Sequence, residues 1–145
     1  MNEVFLDTIM NNDYCRILTI CGSAKFRRLK EEYQAYYTIK NNLVFAPVNY
    51  LLIKNNDNVK PTEAINAEAL ANIHDKKILL SEAIIVVTDD KGYYGYHTQR
   101  EIEFAKKNHK TILYTHIDYK DRDKYYYNYD LTYPLYMSKE DYLWD

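Results

Sequence analysis

The sequence predicts a single α/β domain built on a mainly parallel sheet of about five strands. Three observations carry this expectation. Short apolar runs rich in β-forming residues alternate with stretches of helical periodicity, which is the pattern of βαβ units. One run, Ala83-Ile84-Ile85-Val86-Val87-Thr88, is apolar almost without interruption, as expected of a strand covered on both faces. The chain has 145 residues, the size of one ordinary domain, and no repeat or linker divides it.

The elements follow in order. Residues 1–15 are polar and irregular and read as a leader or edge segment. Arg16-Ile17-Leu18-Thr19-Ile20-Cys21 reads as the first strand and breaks at Gly22-Ser23. Residues 24–40 read as a helix, because Phe26, Leu29, Tyr33, Tyr36 and Tyr37 recur at three and four residues. Leu43-Val44-Phe45-Ala46 reads as a second buried strand stopped by Pro47, and the polar stretch 54–60 as an exposed loop. Pro61-Thr62 opens a helix to about residue 80. After the strand at 83–88 come a loop at 89–97, a helix at 98–108 and a strand at 111–114. These elements form a core of about residues 16–115. The remaining segment, 116–145, is Tyr-rich and charged, with a last strand or helix expected near 131–144.

Composition narrows the function. A formal net charge of −2 argues against a general nucleic-acid binder. No apolar run approaches the roughly 18 residues of a membrane span. The N-terminus lacks a basic, then apolar, signal pattern, so a cytoplasmic protein is expected. Cys15 and Cys21 match no zinc or redox spacing and read as reduced thiols; neither a metal site nor a cofactor is expected. The chain has 17 tyrosines and only 3 glycines, two of them, Gly92 and Gly95, in one loop.

In parallel sheets ligands lie outside the carboxyl ends of the strands. Here those ends are Gly22-Ser23, Pro47-Val48-Asn49 and the 89–97 loop. At Cys21-Gly22-Ser23-Ala24-Lys25-Phe26-Arg27, a strand, a glycine and a helix N-terminus can form an anion site from backbone N–H groups. Equally, Gly22 can simply make the turn and Ser23 cap the helix. In the block from Gly92 to Glu101, Thr98 and Glu101 have capping-box spacing. Glu101 also shares a stripe with Ile102 and Ala105, facing the sheet, whereas Glu103 points away. A first-turn carboxylate beside a cleft is placed to act as a nucleophile or to stabilise a cationic transition state. His74 shares a face with Ala67, Ala71 and Ile78 and points inward, where a histidine is usually a satisfied core residue. Tyr93, Tyr94 and Tyr96 in the loop, and Tyr125, Tyr126, Tyr127 and Tyr129 in the tail, can stack on a nucleobase or pack a subunit interface.

Three segments together resemble the nucleoside 2-deoxyribosyltransferase-like superfamily, which includes nucleoside transferases and nucleotide N-glycoside hydrolases. They are Ile-Cys-Gly-Ser-Ala-Lys-Phe (20–26), Ile-His-Asp-Lys-Lys-Ile (73–78) and Gly-Tyr-Tyr-Gly-Tyr-His-Thr-Gln-Arg-Glu-Ile-Glu-Phe-Ala (92–105). The resemblance runs from Ile17 to about Tyr114. It implies a flavodoxin- or Rossmann-like three-layer sandwich. It also implies cleavage of the N-glycosidic bond of a nucleoside or nucleoside 5′-monophosphate, by hydrolysis or by base exchange. Glu101 falls on the family's catalytic carboxylate, and His74 or Asp75 is the implied acid for the leaving base. Gly22 and Ser23 correspond to the loop against the sugar or 5′-phosphate. Phe26, Asn49, Gly92, Gly95, Tyr96 and Thr98 complete the implied substrate contacts. Two departures stand out. The transferases have an Asp for the nucleobase where this chain has His74, and an acidic residue six positions before the catalytic Glu, where this chain has Gly95. A homodimer or higher homo-oligomer is implied, because the family shares pockets between subunits. The alternatives are a non-catalytic nucleotide-binding or sensing module and an NAD-cleaving hydrolase.

Overall fold

The computed structural model describes residues 2–11, 14–48, 67–127 and 132–142. The element order is α1 (Asn2–Met10), β1 (Ile17–Gly22), a 3-10 turn (Ala24–Phe26), α2 (Arg27–Ile39) and β2 (Leu43–Phe45). Then follow α3 (Ala67–Leu80), β3 (Ala83–Val87), α4 (Tyr96–Lys107) and β4 (Thr111–Tyr114). A 3-10 turn at Tyr119–Lys124 leads into β5 (Tyr125–Tyr127), β6 (Tyr136–Ser138) and the short α5 (Lys139–Tyr142). The chain is thus α/β, with helices on both faces of one sheet.

The sheet has six strands in the order β2-β1-β3-β4-β6-β5. The first four are parallel, with Leu18 opposite Ala83, and Gly22 opposite Val87. β6 runs antiparallel to β4, and β5 antiparallel to β6. The expected mainly parallel sheet of about five strands is therefore corrected to a mixed one of six. The physical reason lies in the tail. Its two three-residue strands pair with each other and cover the open edge of β4, an edge that would otherwise offer unpaired backbone groups. Strands this short carry no long apolar run to betray them.

Side-chain alternation along β1 separates two cores. Leu18 and Ile20 join Leu6, Ile9, Tyr33 and Tyr37 from α1 and α2. Cys21 joins Ile78 of α3 and Ile102 and Ala105 of α4 on the other face. β3 is buried at every residue, as its apolar run requires. β2 is an edge strand rather than a fully buried one, since Leu43 is exposed while Val44 is buried.

Residues 2–10 form a helix, which overturns the leader or edge reading. Leu6 and Ile9, three residues apart, are both buried in the α1–α2 core, and Asn42 Nδ2 donates to the Ile9 carbonyl at 2.9 Å. Arg16 ties this helix down, its Nε donating to Thr8 Oγ1 at 2.9 Å. α4 begins two residues before the expected Thr98, with Gly95 as its N-cap. The expected loop at 54–60 and the helix start at Pro61 lie outside the described residues. Among the described residues no helix is long and apolar enough to cross a membrane.

Several tyrosines do core work. Tyr33 and Tyr37 are fully buried, and the rings of Tyr36 and Tyr133 pack against them. Their hydroxyls find backbone acceptors: Tyr33 donates to the Pro134 carbonyl at 3.0 Å, and Tyr37 to that of Tyr133.

Candidate active site at the carboxyl edge of β1 and β3

The chain leaves β1 for β2 on one side of it and reaches β3 on the other. Connections that diverge in this way open a crevice at the carboxyl ends of the strands between them. Gly22 ends β1 there with φ of 144°, and a Cβ at this position would lie 2.7 Å from the Val87 carbonyl oxygen. No other residue fits so close an approach. The Gly22 carbonyl accepts from Lys30 Nζ at 3.2 Å, which carries a cation from α2 over the edge of the sheet.

Beneath this turn three side chains meet. Cys21 Sγ lies 3.4 Å from His74 Nε2, and the same nitrogen lies 3.1 Å from Glu101 Oε2. Each comes from a different element. Cys21 shares a face of β1 with Thr19, whose hydroxyl bonds to Lys77 of α3. His74 projects from α3 one turn before the buried Ile78. Glu101 lies on α4 between the buried Thr98 and Ala105. The side chains of His74 and Glu101 are 9% and 15% exposed, so both are nearly shut off from solvent.

Burial pushes the Glu101 carboxyl up. The hydrogen bond and charge of the His74 ring, the Cys21 thiol and Arg100 outweigh it and hold the group below its usual range. Burial, then the neighbouring Glu101 charge, pushes the Cys21 thiol well above its ordinary value. The site therefore holds a thiol and a carboxylate, not a thiolate. Burial also pulls Lys30 down, and the charge of Glu101 partly opposes this.

These facts bear on which group, the sulfur or the carboxylate, is the more electron-rich. In a cysteine–histidine–acid relay, the two ring nitrogens face opposite partners, one the sulfur and the other the acid. Here Nε2 alone faces both, and His74 Nδ1 is buried without a hydrogen-bond partner among the described residues. With Glu101 ionised, Nε2 carries the proton and donates it to the carboxylate. Cys21, fully buried, donates to the same carboxylate, so Glu101 is the electron-rich group of the three.

The other expected residues are distributed as follows. Arg100 engages both oxygens of Asp75, at 3.2 and 3.0 Å, a bidentate pair joining α3 to α4. Ser23 caps the 3-10 turn, its Oγ accepting from Lys25 N at 3.4 Å. Phe26 packs against the α1–α2 core, with the Lys25 ammonium 5.3 Å from its ring centroid. Gly92 has φ of 83°, and a Cβ there would lie 3.1 Å from Ile117 Cα, so it makes a tight turn against the segment after β4. With Tyr94, Tyr114, His116 and Tyr125 it lines a shallow cavity that shares no residue with the Cys21–His74–Glu101 group. Tyr96 is 82% exposed. Asn49 lies outside the described residues.

Two expectations about α4 are corrected. Because the helix starts at Tyr96, Thr98 is its third residue and is buried, so it does not cap, and Glu101 lies in the second turn. Gly95 is the N-cap, with open space where a Cβ would stand. Three residues of the site escaped the sequence reading: Cys21, Lys30 and Arg100. Two-residue alternation from Thr19 puts Cys21 on the α3 face, and that signal was present. Nothing in the sequence indicates that Lys30 reaches back to Gly22.

No family model, curated protein or solved structure matches the chain.

Proposed function

We propose that this protein cleaves the N-glycosidic bond of a nucleoside or nucleoside 5′-monophosphate through Glu101. The observation that carries this reading is a nearly buried carboxylate, held ionised by two donors at the carboxyl edge of the sheet. Further support comes from the order of the four parallel strands, β2-β1-β3-β4, which is what a flavodoxin-like, doubly wound sandwich has.

In this reading a Glu101 oxygen bonds to C1′ as the C1′–N bond breaks. The electron pair of that bond leaves with the base, which takes a proton from the imidazolium form of His74, leaving the neutral ring. Water then adds to C1′, returning a proton to His74 and freeing the Glu101 carboxylate. A second base in place of water gives transfer. Of the two expected acids His74 is favoured, because Arg100 occupies both oxygens of Asp75. Amide groups of the turn after Gly22, and Lys25 beside it, are the proposed neighbours of a 5′-phosphate.

The test is chromatography for released base after incubation with nucleosides, their 5′-monophosphates and NAD. Glu101→Gln is expected to lower the rate more than about a hundredfold, as for loss of a covalent nucleophile, with the fold retained. Undiminished release by that variant ends the reading. Release from NAD alone transfers the site to an NAD-cleaving hydrolase.

The proposal includes self-association, because Tyr93, Tyr96 and Tyr119 remain exposed while other tyrosines fill the core. Tyrosine suits interfaces by joining apolar area to a hydroxyl. Light scattering at micromolar concentration is expected to give at least twice the 17.4 kDa chain mass; a monomer removes this part of the proposal.

A further inference from the structure

Cys21, His74 and Glu101 offer one sulfur, one nitrogen and one oxygen ligand, and the three atoms lie within 4.8 Å of one another. We propose that they form an open binding site for a borderline-soft divalent cation, zinc above all. Metal–ligand bonds of about 2.0–2.2 Å for nitrogen and oxygen and about 2.3 Å for sulfur, at tetrahedral angles, set N···O about 3.4 Å apart and S···N about 3.6 Å. The observed separations are 3.1 Å for His74 Nε2 to Glu101 Oε2 and 3.4 Å to Cys21 Sγ. Small outward shifts of these side chains therefore suffice to admit the ion.

The bonding pattern points the same way. A single ring nitrogen faces both partners, and its one hydrogen goes to Glu101, so its 3.4 Å contact with the Cys21 sulfur is not a hydrogen bond from the ring. A cation at the centre engages all three at once. The mixed donor set selects the metal, because thiolate and imidazole suit zinc, whereas magnesium and calcium take oxygen ligands.

Charge balances on binding. The Cys21 thiol gives up its proton to solvent, His74 binds as the neutral ring through Nε2 with its hydrogen on Nδ1, and Glu101 is already anionic. A divalent ion with one thiolate and one carboxylate is neutral overall, which suits a site this deep. Among the described residues no fourth ligating side chain joins the group, and Asp75 is held by Arg100. Three protein ligands with a free fourth position make an open site, not a closed structural one.

The site does not require Glu101 to be a nucleophile. Where Glu101 is one, metal and substrate compete for its oxygen, and zinc inhibits.

The experiment uses the full chain with Cys15→Ser, which removes the exposed thiol. After treatment with a chelator, Co(II) is added and the absorption spectrum recorded. One cobalt per chain is expected, with a thiolate-to-cobalt charge-transfer band and the strong visible bands of tetrahedral cobalt, and one equivalent of zinc abolishes both. Cys21→Ser is expected to lose the charge-transfer band, and His74→Ala to weaken zinc binding more than about tenfold, at least the cost of losing an outer-shell partner. Absence of the charge-transfer band in the Cys15→Ser chain overturns the proposal, even if a variant fails to fold. So does zinc affinity unchanged by both substitutions in folded variants. Base release is measured separately: cobalt binding without turnover keeps the metal site and removes the glycosidic reading, and turnover without cobalt binding does the reverse.

Discussion

Two regions of the molecule bury polar side chains, and they do so in opposite ways. Where α2 meets the tail, the hydroxyls of Tyr33 and Tyr37 donate to the backbone carbonyls of Pro134 and Tyr133. The partners are fixed and uncharged, so burial costs little and the rings contribute their full apolar area. At the carboxyl edge of β1 and β3, a thiol, an imidazole and a carboxylate bond to one another, and one ring nitrogen has no partner among the described residues. A fold gains little stability from such a group, because desolvating a charge costs about as much as its pairing returns. The contrast separates a region whose polar groups serve stability from one whose polar groups carry the proposed chemistry.

Substitutions can break or sharpen that contrast. The largest effect is expected at Tyr37. Tyr37→Ala should cost about 3–5 kcal/mol in denaturant unfolding, as for other large buried aromatics. Tyr37→Phe should cost about 1–3 kcal/mol, because the Tyr133 carbonyl loses its donor. Neither should change the chemistry of Glu101 in folded protein. A Tyr37→Ala cost below that of Tyr37→Phe would remove the tyrosine region from the core.

Gly22 stands at the border of the two descriptions, being a backbone requirement at the mouth of the site. Gly22→Ala forces a side chain into a positive-φ conformation that alone costs about 1–3 kcal/mol. The 2.7 Å approach to the Val87 carbonyl adds to it by separating β1 from β3. Unfolding and base release are both expected to suffer. A Gly22→Ala variant as stable as the parent would refute the close approach.

The smallest effect is expected at Gly95, the N-cap of α4 with open space at its Cβ. Gly95→Asp should stabilise by a few tenths of a kcal/mol through a side-chain cap. It should also move preference, read as kcat/KM, from the 5′-monophosphate toward the nucleoside, because a carboxylate there repels phosphate. An unchanged preference would detach residue 95 from the substrate.

Much of this was legible in the sequence. The uninterrupted run 83–88 declares a strand covered on both faces, and Thr19 and Cys21 fall on one side of β1 by simple alternation. The inward stripe of α4 carries Glu101 regardless of where the helix begins, which is why Glu101 survives the correction at Thr98. Helical spacing likewise turns His74 inward. In the tail the last strand or helix expected near 131–144 is there, as β6 and α5, but β5 was not legible, since a strand of three residues leaves no period to count. Neither was α1, whose nine residues give barely two turns of period.

What the sequence determined by itself is the periodicity of each element, and with it the face on which every side chain stands. Local sterics and hydrogen bonding impose periods of 2.0 and 3.6 whatever lies beyond. Only the tertiary structure decided which faces meet. The packing of β1, α3 and α4 brought Cys21, His74 and Glu101, separated by 53 and 27 residues, to within hydrogen-bonding distance. Which partners a buried polar group finds is a matter of three-dimensional proximity, and nothing in the order of residues along the chain encodes it directly.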